Sequence, residues 1–119
     1  MSIQPNLFLH IIQNFIQNAI KFSPQNSAII IKSTILDDCF KIDVVDEGIG
    51  IDESLDLFAP FKRSGNKSGA GLGLFLAKGA ADAMNAQISL KNRSDQKGVI
   101  ATIKIPISKT SKKLNKAFK

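Results

Sequence analysis

A chain of 119 residues has room for one hydrophobic core and one functional site, and 44% hydrophobic with 22% charged residues is the balance of a globular protein. Its apolar runs fall far short of the roughly 20 residues a bilayer span needs, and Met1-Ser2-Ile3-Gln4-Pro5 has neither the basic nor the apolar region of a secretory signal. The formal charge of +6 does not call for nucleic acid, because Lys109, Lys112, Lys113, Lys116 and Lys119 crowd into the C-terminal end. We therefore expect a single domain over 1–108 and a basic, disordered tail over 109–119, with no nucleic-acid partner and no direct membrane contact. Cys39 stands alone, which forbids an internal disulfide and fits a reducing cytoplasm; one cysteine and one histidine also make a Cys/His zinc site implausible.

The first predicted element is a helix from Pro5 to Phe22. Phe8, Ile11, Ile12, Phe15, Ile16, Ala19 and Ile20 recur at helical spacing, Pro5 suits a first turn, and Ser23-Pro24 ends the run. Ala28–Leu36 and Cys39–Val45, rich in Ile, Val, Thr and Phe, read as an antiparallel hairpin turning at Asp37-Asp38. From Asp46 to about Gly71, Gly, Ser, Asp and Lys dominate around one apolar island, Leu55–Phe61, so a long functional loop with a small helix or two is expected. A second main helix runs from about Leu72 to Met84, its Ala77, Gly79, Ala80, Ala81 and Ala83 small enough to approach a sheet closely. Gln87–Lys91 and Val99–Ile107 are two more strands joined by a polar turn. The fold class is α+β: a sandwich with its helices on one face of the sheet.

Three positions carry the first chemical signal. Asn14, Asn18 and Lys21, at i, i+4 and i+7, share one face of the first helix. Asparagine weakens a helix interior, so two of them a turn apart call for a reason outside local stability. The amide oxygen of Asn18 can coordinate Mg²⁺, Asn14 can ligate it directly or through water, and Lys21 can neutralise a phosphate. His10, one turn before Asn14, can share that face. Asp46 then ends a strand and enters Asp46-Glu47-Gly48-Ile49-Gly50. Its carboxylate can accept from the exocyclic amine of adenine, Gly48 and Gly50 allow close approach to a planar base, and Ile49 and Ile51 can wall the pocket. Gly69-Ala70-Gly71-Leu72-Gly73 opens a helix whose unpaired N–H groups favour an anion, and Lys62, Arg63 and Lys67 stand just before it. No Gly-Lys-Ser/Thr closes that run and no strand precedes it, so it is neither a Walker loop nor a dinucleotide fingerprint. No serine or cysteine has a recognisable base partner.

In this order the motifs resemble the catalytic and ATP-binding domain of bacterial two-component sensor histidine kinases. Asn14–Ser23 is similar to that family's N box, Asp46–Ile51 to its G1 box, Phe58–Arg63 to its F box and Gly69–Leu74 to its G2 box. The resemblance implies a Bergerat-type α/β sandwich, with helices on one face of a mixed, largely antiparallel sheet and a short ATP lid from about Lys62 to Ala70. By the same resemblance Asn18, with Asn14 beside it, would hold Mg²⁺, and Lys21 and Arg63 would contact phosphates. Phe22 would pack near the adenine, Asp46 would read its amine, and Gly71, Leu72 and Gly73 would offer backbone donors. Related ATP-hydrolysing enzymes place a glutamate where this chain has Asn14, so phosphoryl transfer is expected rather than hydrolysis. Val99-Ile100-Ala101 departs from the small polar and aromatic residues often seen in the closing strand.

The implied activity is protein histidine kinase: ATP and Mg²⁺ bind, and the γ-phosphoryl passes to a histidine on a separate dimerisation and acceptor domain, then indirectly to a response regulator. His10 does not match the acceptor motif, so this chain alone is expected to be a cytoplasmic monomer that cannot phosphorylate itself. The parent kinase could be membrane-anchored. Three alternatives stand beside this one: a serine-protein kinase of the anti-sigma factor type, a regulatory module that holds nucleotide without transfer, and a basic nucleic-acid binder acting through residues 109–119.

Overall fold

The computed structural model describes residues 5–58 and 70–107. Helix α1, Pro5–Phe22, is followed by strands β1, Ile30–Ile35, and β2, Cys39–Val45; helix α2, Ala70–Ala83, is followed by β3, Gln87–Asn92, and β4, Val99–Pro106. The four strands form one sheet in the order β1-β2-β4-β3, and every pairing is antiparallel. The last strand in sequence is thus an inner strand, between β2 and β3.

Alternation along the strands explains the layers. Ile42 and Val44 of β2 and Ala101, Ile103 and Ile105 of β4 are buried under the helices, while Lys41, Asp43, Thr102 and Lys104 point to the opposite face. On that polar face Thr102 Oγ1 donates to Asp43 Oδ1 at 2.5 Å across the β2–β4 pair. The helical side of the core is Ile11, Phe15 and Ala19 of α1 with Leu74, Ala77, Ala80 and Ala81 of α2. The small residues let α2 lie against both α1 and β3, as their sizes predict. Gly79 and Ala83 are exceptions: both are exposed, and a side chain at Gly79 would meet nothing. Filling by Phe15 and Ile11 is the largest single contribution from α1, about 3–5 kcal/mol for truncating such a buried Phe to Ala.

Both helices stop where local chemistry stops them. After Pro24 the chain turns, with Ser27 Oγ donating to Pro24 O at 2.6 Å and Asn26 at φ 65°. The end of α2 is a Schellman cap. Asn85 takes the left-handed position at φ 58°, Ala86 N donates to Ala81 O at 2.8 Å, and Asn85 N donates to Asp82 O at 3.1 Å.

The observed ends differ from the expected ones by a residue or two. β1 starts at Ile30 rather than Ala28, β3 ends one residue later and β4 one residue earlier than expected, and α2 starts at Ala70. Residues 51–58, which include the start of the Leu55–Phe61 island, form turns. The rest of that island, the lid and the 109–119 tail lie outside the described residues. β1 is unusual, for all six of its residues are exposed. Its Ile31 and Ile35 stand opposite Val44 and Phe40, on the core side of the sheet, but α1 covers β2 and stops short of them.

Candidate functional site

A cavity of ≈160 Å³ opens between the C-terminal end of α1, the loop after β2, Leu74 of α2 and strands β3 and β4. Phe22, Leu57, Leu74, Leu90 and Val99 make its apolar walls, with Asn18 and Asp46 as polar groups and Gly48, Ile49, Gly50 and Ile51 along one rim. Most binding pockets for small planar ligands combine an apolar lining with a few placed polar atoms in this way.

Asp46 is the fixed point of the site. Only 7% exposed, it accepts backbone bonds at Oδ1 from Gly48 N at 2.8 Å and Val99 N at 2.9 Å. Its own N–H donates to Val99 O at 3.0 Å, so the residue continues the β2–β4 ladder just as the loop begins. Oδ2 takes no part in this pinning. A carboxylate held by one oxygen keeps the other for a donor that enters the cavity. Gly48 must be glycine for contact reasons: a Cβ there would lie 2.8 Å from Phe22 O and 3.2 Å from Asp46 Oδ1. The loop therefore rests directly on the end of α1.

The amide face of α1 meets the start of α2. Asn18 Nδ2 donates to Asn14 Oδ1 at 3.2 Å, which leaves Asn18 Oδ1 outside that bond. Both residues are half-buried rather than a solvent stripe, and Asn18 lines the cavity. A Cβ on Gly73 would come within 2.4 Å of Asn14 Nδ2, so the first turn of α2 packs on the Asn14 amide. Gly71, Leu72 and Gly73 all lie in that first turn, where backbone N–H groups lack helical partners. Lys21 is exposed, with Nζ 5.7 Å from the centroid of the Phe22 ring.

Of the residues singled out in the sequence, Asn18, Phe22, Asp46, Gly48, Gly50 and Ile51 line the cavity, and Asn14 and Gly73 meet beside it. Gly69 and Arg63 lie outside the described residues. His10 is half-buried but does not line the cavity, and Cys39 is a free, half-buried thiol. Among the described residues no three His, Cys, Asp or Glu side chains cluster as metal ligands.

Sequence reading missed Asn92, Arg93 and Gly98. Asn92 Oδ1 accepts from Ile51 N and its Nδ2 donates to Ile51 O, both at 2.8 Å. Arg93 Nη1 donates to Asp46 O at 2.9 Å, while Nε and Nη2 grip Asp95 at 2.9 and 2.8 Å. The bond from Arg93 is the main reason the Asp95 carboxyl sits below its usual pKa, and Asp95 in turn raises that of Arg93. Gly98, at φ 141°, lies against the same carbonyl, where a Cβ would be 2.1 Å from Asp46 O. At the rim Ser54 bonds Asp52 through its hydroxyl and its N–H, which lowers the pKa of that carboxyl. A polar turn gives no local hint that it reaches a loop more than forty residues away; only the strand order reveals it.

Over residues 3–109 the chain matches the family described as histidine kinase-, DNA gyrase B-, and HSP90-like ATPase. Among curated proteins it is 32% identical over 109 residues to the sensor protein KdpD of Rathayibacter rathayi, covering 87% of this chain and 12% of that one. It is 36% identical over 98 residues to the sensor protein BasS of Escherichia coli K12, covering 80% and 27%. The chain thus spans a small part of these relatives. Among solved structures, the nucleotide-free catalytic domain of histidine kinase ThkA superposes with a TM-score of 0.74 at 29% identity, covering 85% of this chain and 66% of that one. The mycobacterial sensor histidine kinase MprB reaches 0.79 at 21% identity, over 89% and 76%, and shows the same fold. Two helices on one face of an antiparallel sheet, a carboxylate-anchored glycine loop and a glycine-rich helix start thus coincide with a family match over most of the sequence: the chain belongs to the histidine kinase-, DNA gyrase B- and HSP90-like ATPases, with the Bergerat fold of a sensor histidine kinase catalytic domain.

Proposed function

We propose that this domain binds ATP with Mg²⁺ and supplies the γ-phosphoryl for a histidine on a separate dimerisation and acceptor domain of its parent kinase. The observation that carries this reading is the Asp46 anchor: one carboxylate oxygen is fixed by two backbone N–H groups while the residue lines a mainly apolar cavity of ≈160 Å³. ShkA, a structural neighbour at 23% identity with a TM-score of 0.72, over 84% of this chain and 21% of that one, was solved in complex with AMPPNP.

In this reading Asp46 accepts a hydrogen bond from the adenine amine, and Phe22, Ile51 and Val99 enclose the ring faces. The triphosphate then runs toward the first turn of α2, where Gly71, Leu72 and Gly73 donate backbone N–H groups and Lys21 adds positive charge, with Arg63 and Gly69 completing the phosphate contacts. The residues present fit Mg²⁺: an amide supplies the hard oxygen donor the ion prefers, and Asn18 Oδ1, on a residue that lines the cavity, lies outside the bond to Asn14. Asn18, with Asn14 next to it, would hold the ion, which neutralises charge on the phosphates. Asn14 is an amide with no basic lone pair for activating water, which disfavours hydrolysis. In the transfer itself the bond from the γ-phosphorus to the bridging oxygen breaks, a P–N bond to the acceptor imidazole forms, and ADP leaves. The acceptor domain and, indirectly, a response regulator are the partners. The domain works in the cytoplasm as a monomer.

Titration with a fluorescent ATP analogue, with and without Mg²⁺, tests the site, and an acceptor hairpin supplied in trans tests the transfer. Asp46→Asn should weaken nucleotide binding about tenfold or more, the size of a lost charge-assisted bond. Asn18→Ala should remove the Mg²⁺-dependent part of binding and transfer. An acid-stable phosphoproduct on serine would assign the chain to the serine-kinase alternative instead, and binding with no transfer to any acceptor would leave the regulatory module.

A further inference from the structure

Asn92, the last residue of β3, and Arg93, the first after it, hold both ends of the loop that carries Asp46. Asn92 pairs its amide with the N–H and the carbonyl of Ile51, in the manner of a short strand pairing. Arg93 donates to the carbonyl of Asp46. Asp95 takes the other two nitrogens of the guanidinium, Nε and Nη2, in a fork, so that Nη1 is the one aimed at Asp46. The backbone N–H of Asn92 is tied as well, to Glu53 at 3.2 Å. The span between Asp46 and Ile51, which is the rim of the cavity, is therefore set by the separation of two neighbouring residues where β3 passes into its turn.

We infer that Asn92 and Arg93 are positioning residues for base selectivity: they fix the width of the 46–51 loop so that the Asp46 carboxylate and Ile51 accept an adenine ring and reject a guanine. This rests on the ATP-binding reading above and deepens it. Neither residue belongs to the hydrophobic core, so their bonds act on the loop more than on the fold. The Arg93 side chain is only 12% exposed, held in place between Asp95 and the loop, which suits a fixed strut rather than a surface charge. Discrimination between bases needs this rigidity. A carboxylate that accepts from the adenine amine repels the guanine carbonyl only if it cannot swing aside.

The test is the ratio of ATP to GTP affinity, measured by displacement of a fluorescent nucleotide from the whole chain, beside the affinity for inorganic tripolyphosphate. In Arg93→Met and in Asn92→Ala the ratio should fall about tenfold, with tripolyphosphate affinity within about twofold of the wild type. Arg93→Lys, which retains one donor for the Asp46 carbonyl, should recover part of the ratio. A wild type that prefers ATP, with both variants keeping that preference, overturns the clamp and leaves the nucleotide reading intact. Equal losses for ATP, GTP and tripolyphosphate also overturn it, because they indicate a general defect of the fold. A wild type with no preference for ATP overturns both.

Discussion

Ser23, at the end of α1, buries its hydroxyl with no hydrogen-bond partner among the described residues. A buried donor left unpaired costs about 1–3 kcal/mol, so Ser23→Ala should leave stability unchanged or raise it by up to about 1 kcal/mol in urea unfolding; a clear loss would show that the hydroxyl has work to do. Gly73 poses the opposite case. Its missing Cβ leaves room for the end of the Asn14 side chain, a group that can rotate away. Gly73→Ala should thus cost little stability while breaking the Asn14–Asn18 pair, and the loss should appear as weaker Mg²⁺-dependent nucleotide binding. Changing Asn14→Ala in the same chain should then add almost nothing, a non-additivity that a double-mutant cycle would read directly. Such a relation between Gly73 and Asn14 was only half visible in the sequence. Helical spacing put Asn14 and Asn18 on one face, but which glycine they would meet depends on how α2 lies across α1.

At the scale of elements, the β3–β4 turn behaves as part of the loop it grips. Its Asp95 has a lowered pKa because Arg93 bonds it, so the favourable interaction is fully present above the ordinary carboxylate pKa of about 3.9 and is lost as pH falls through the lower folded value. The raised pKa of Arg93 points the same way, since its charge persists at any pH the protein meets. Carbon NMR of the Asp95 carboxyl should show this titration below the usual range, and Arg93→Met should return it to normal. The helices and strands themselves were readable from periodicity: α1 from Pro5 to Phe22 and β2 from Cys39 to Val45 match to the residue. Hidden were the bonds that the β3–β4 turn makes to the loop after β2, which depend on how the strands are ordered. The turn from Asn92 to Gly98 reads as solvent-facing polarity until β4 is known to lie beside β2, at which point Gly98 and Arg93 must land on Asp46. In the loop after Asp46, Asp52 and Asp56 bond the N–H groups two residues ahead and favour turns over residues 51–58.

At the scale of the molecule, the helical layer covers three strands and leaves the fourth bare. Ile31 is 55% exposed and Ile35 72% exposed on a six-residue edge strand, a surface open to pairing with another strand. Ile31→Lys should change unfolding free energy by no more than about 0.5 kcal/mol while lowering light scattering at high concentration; a large loss of stability would mean that something covers this strand in solution. The sheet order has a further bearing on how the protein is made. Because β4 fills the gap between β2 and β3, a polypeptide still attached to the ribosome can close the first hairpin but cannot assemble this sheet until β4 has emerged. That same strand carries the Val99 amide that fixes Asp46. Nascent chains stalled before residue 99 should therefore remain protease-sensitive and fail to retain nucleotide, and competence should arrive in a single step once β4 has emerged.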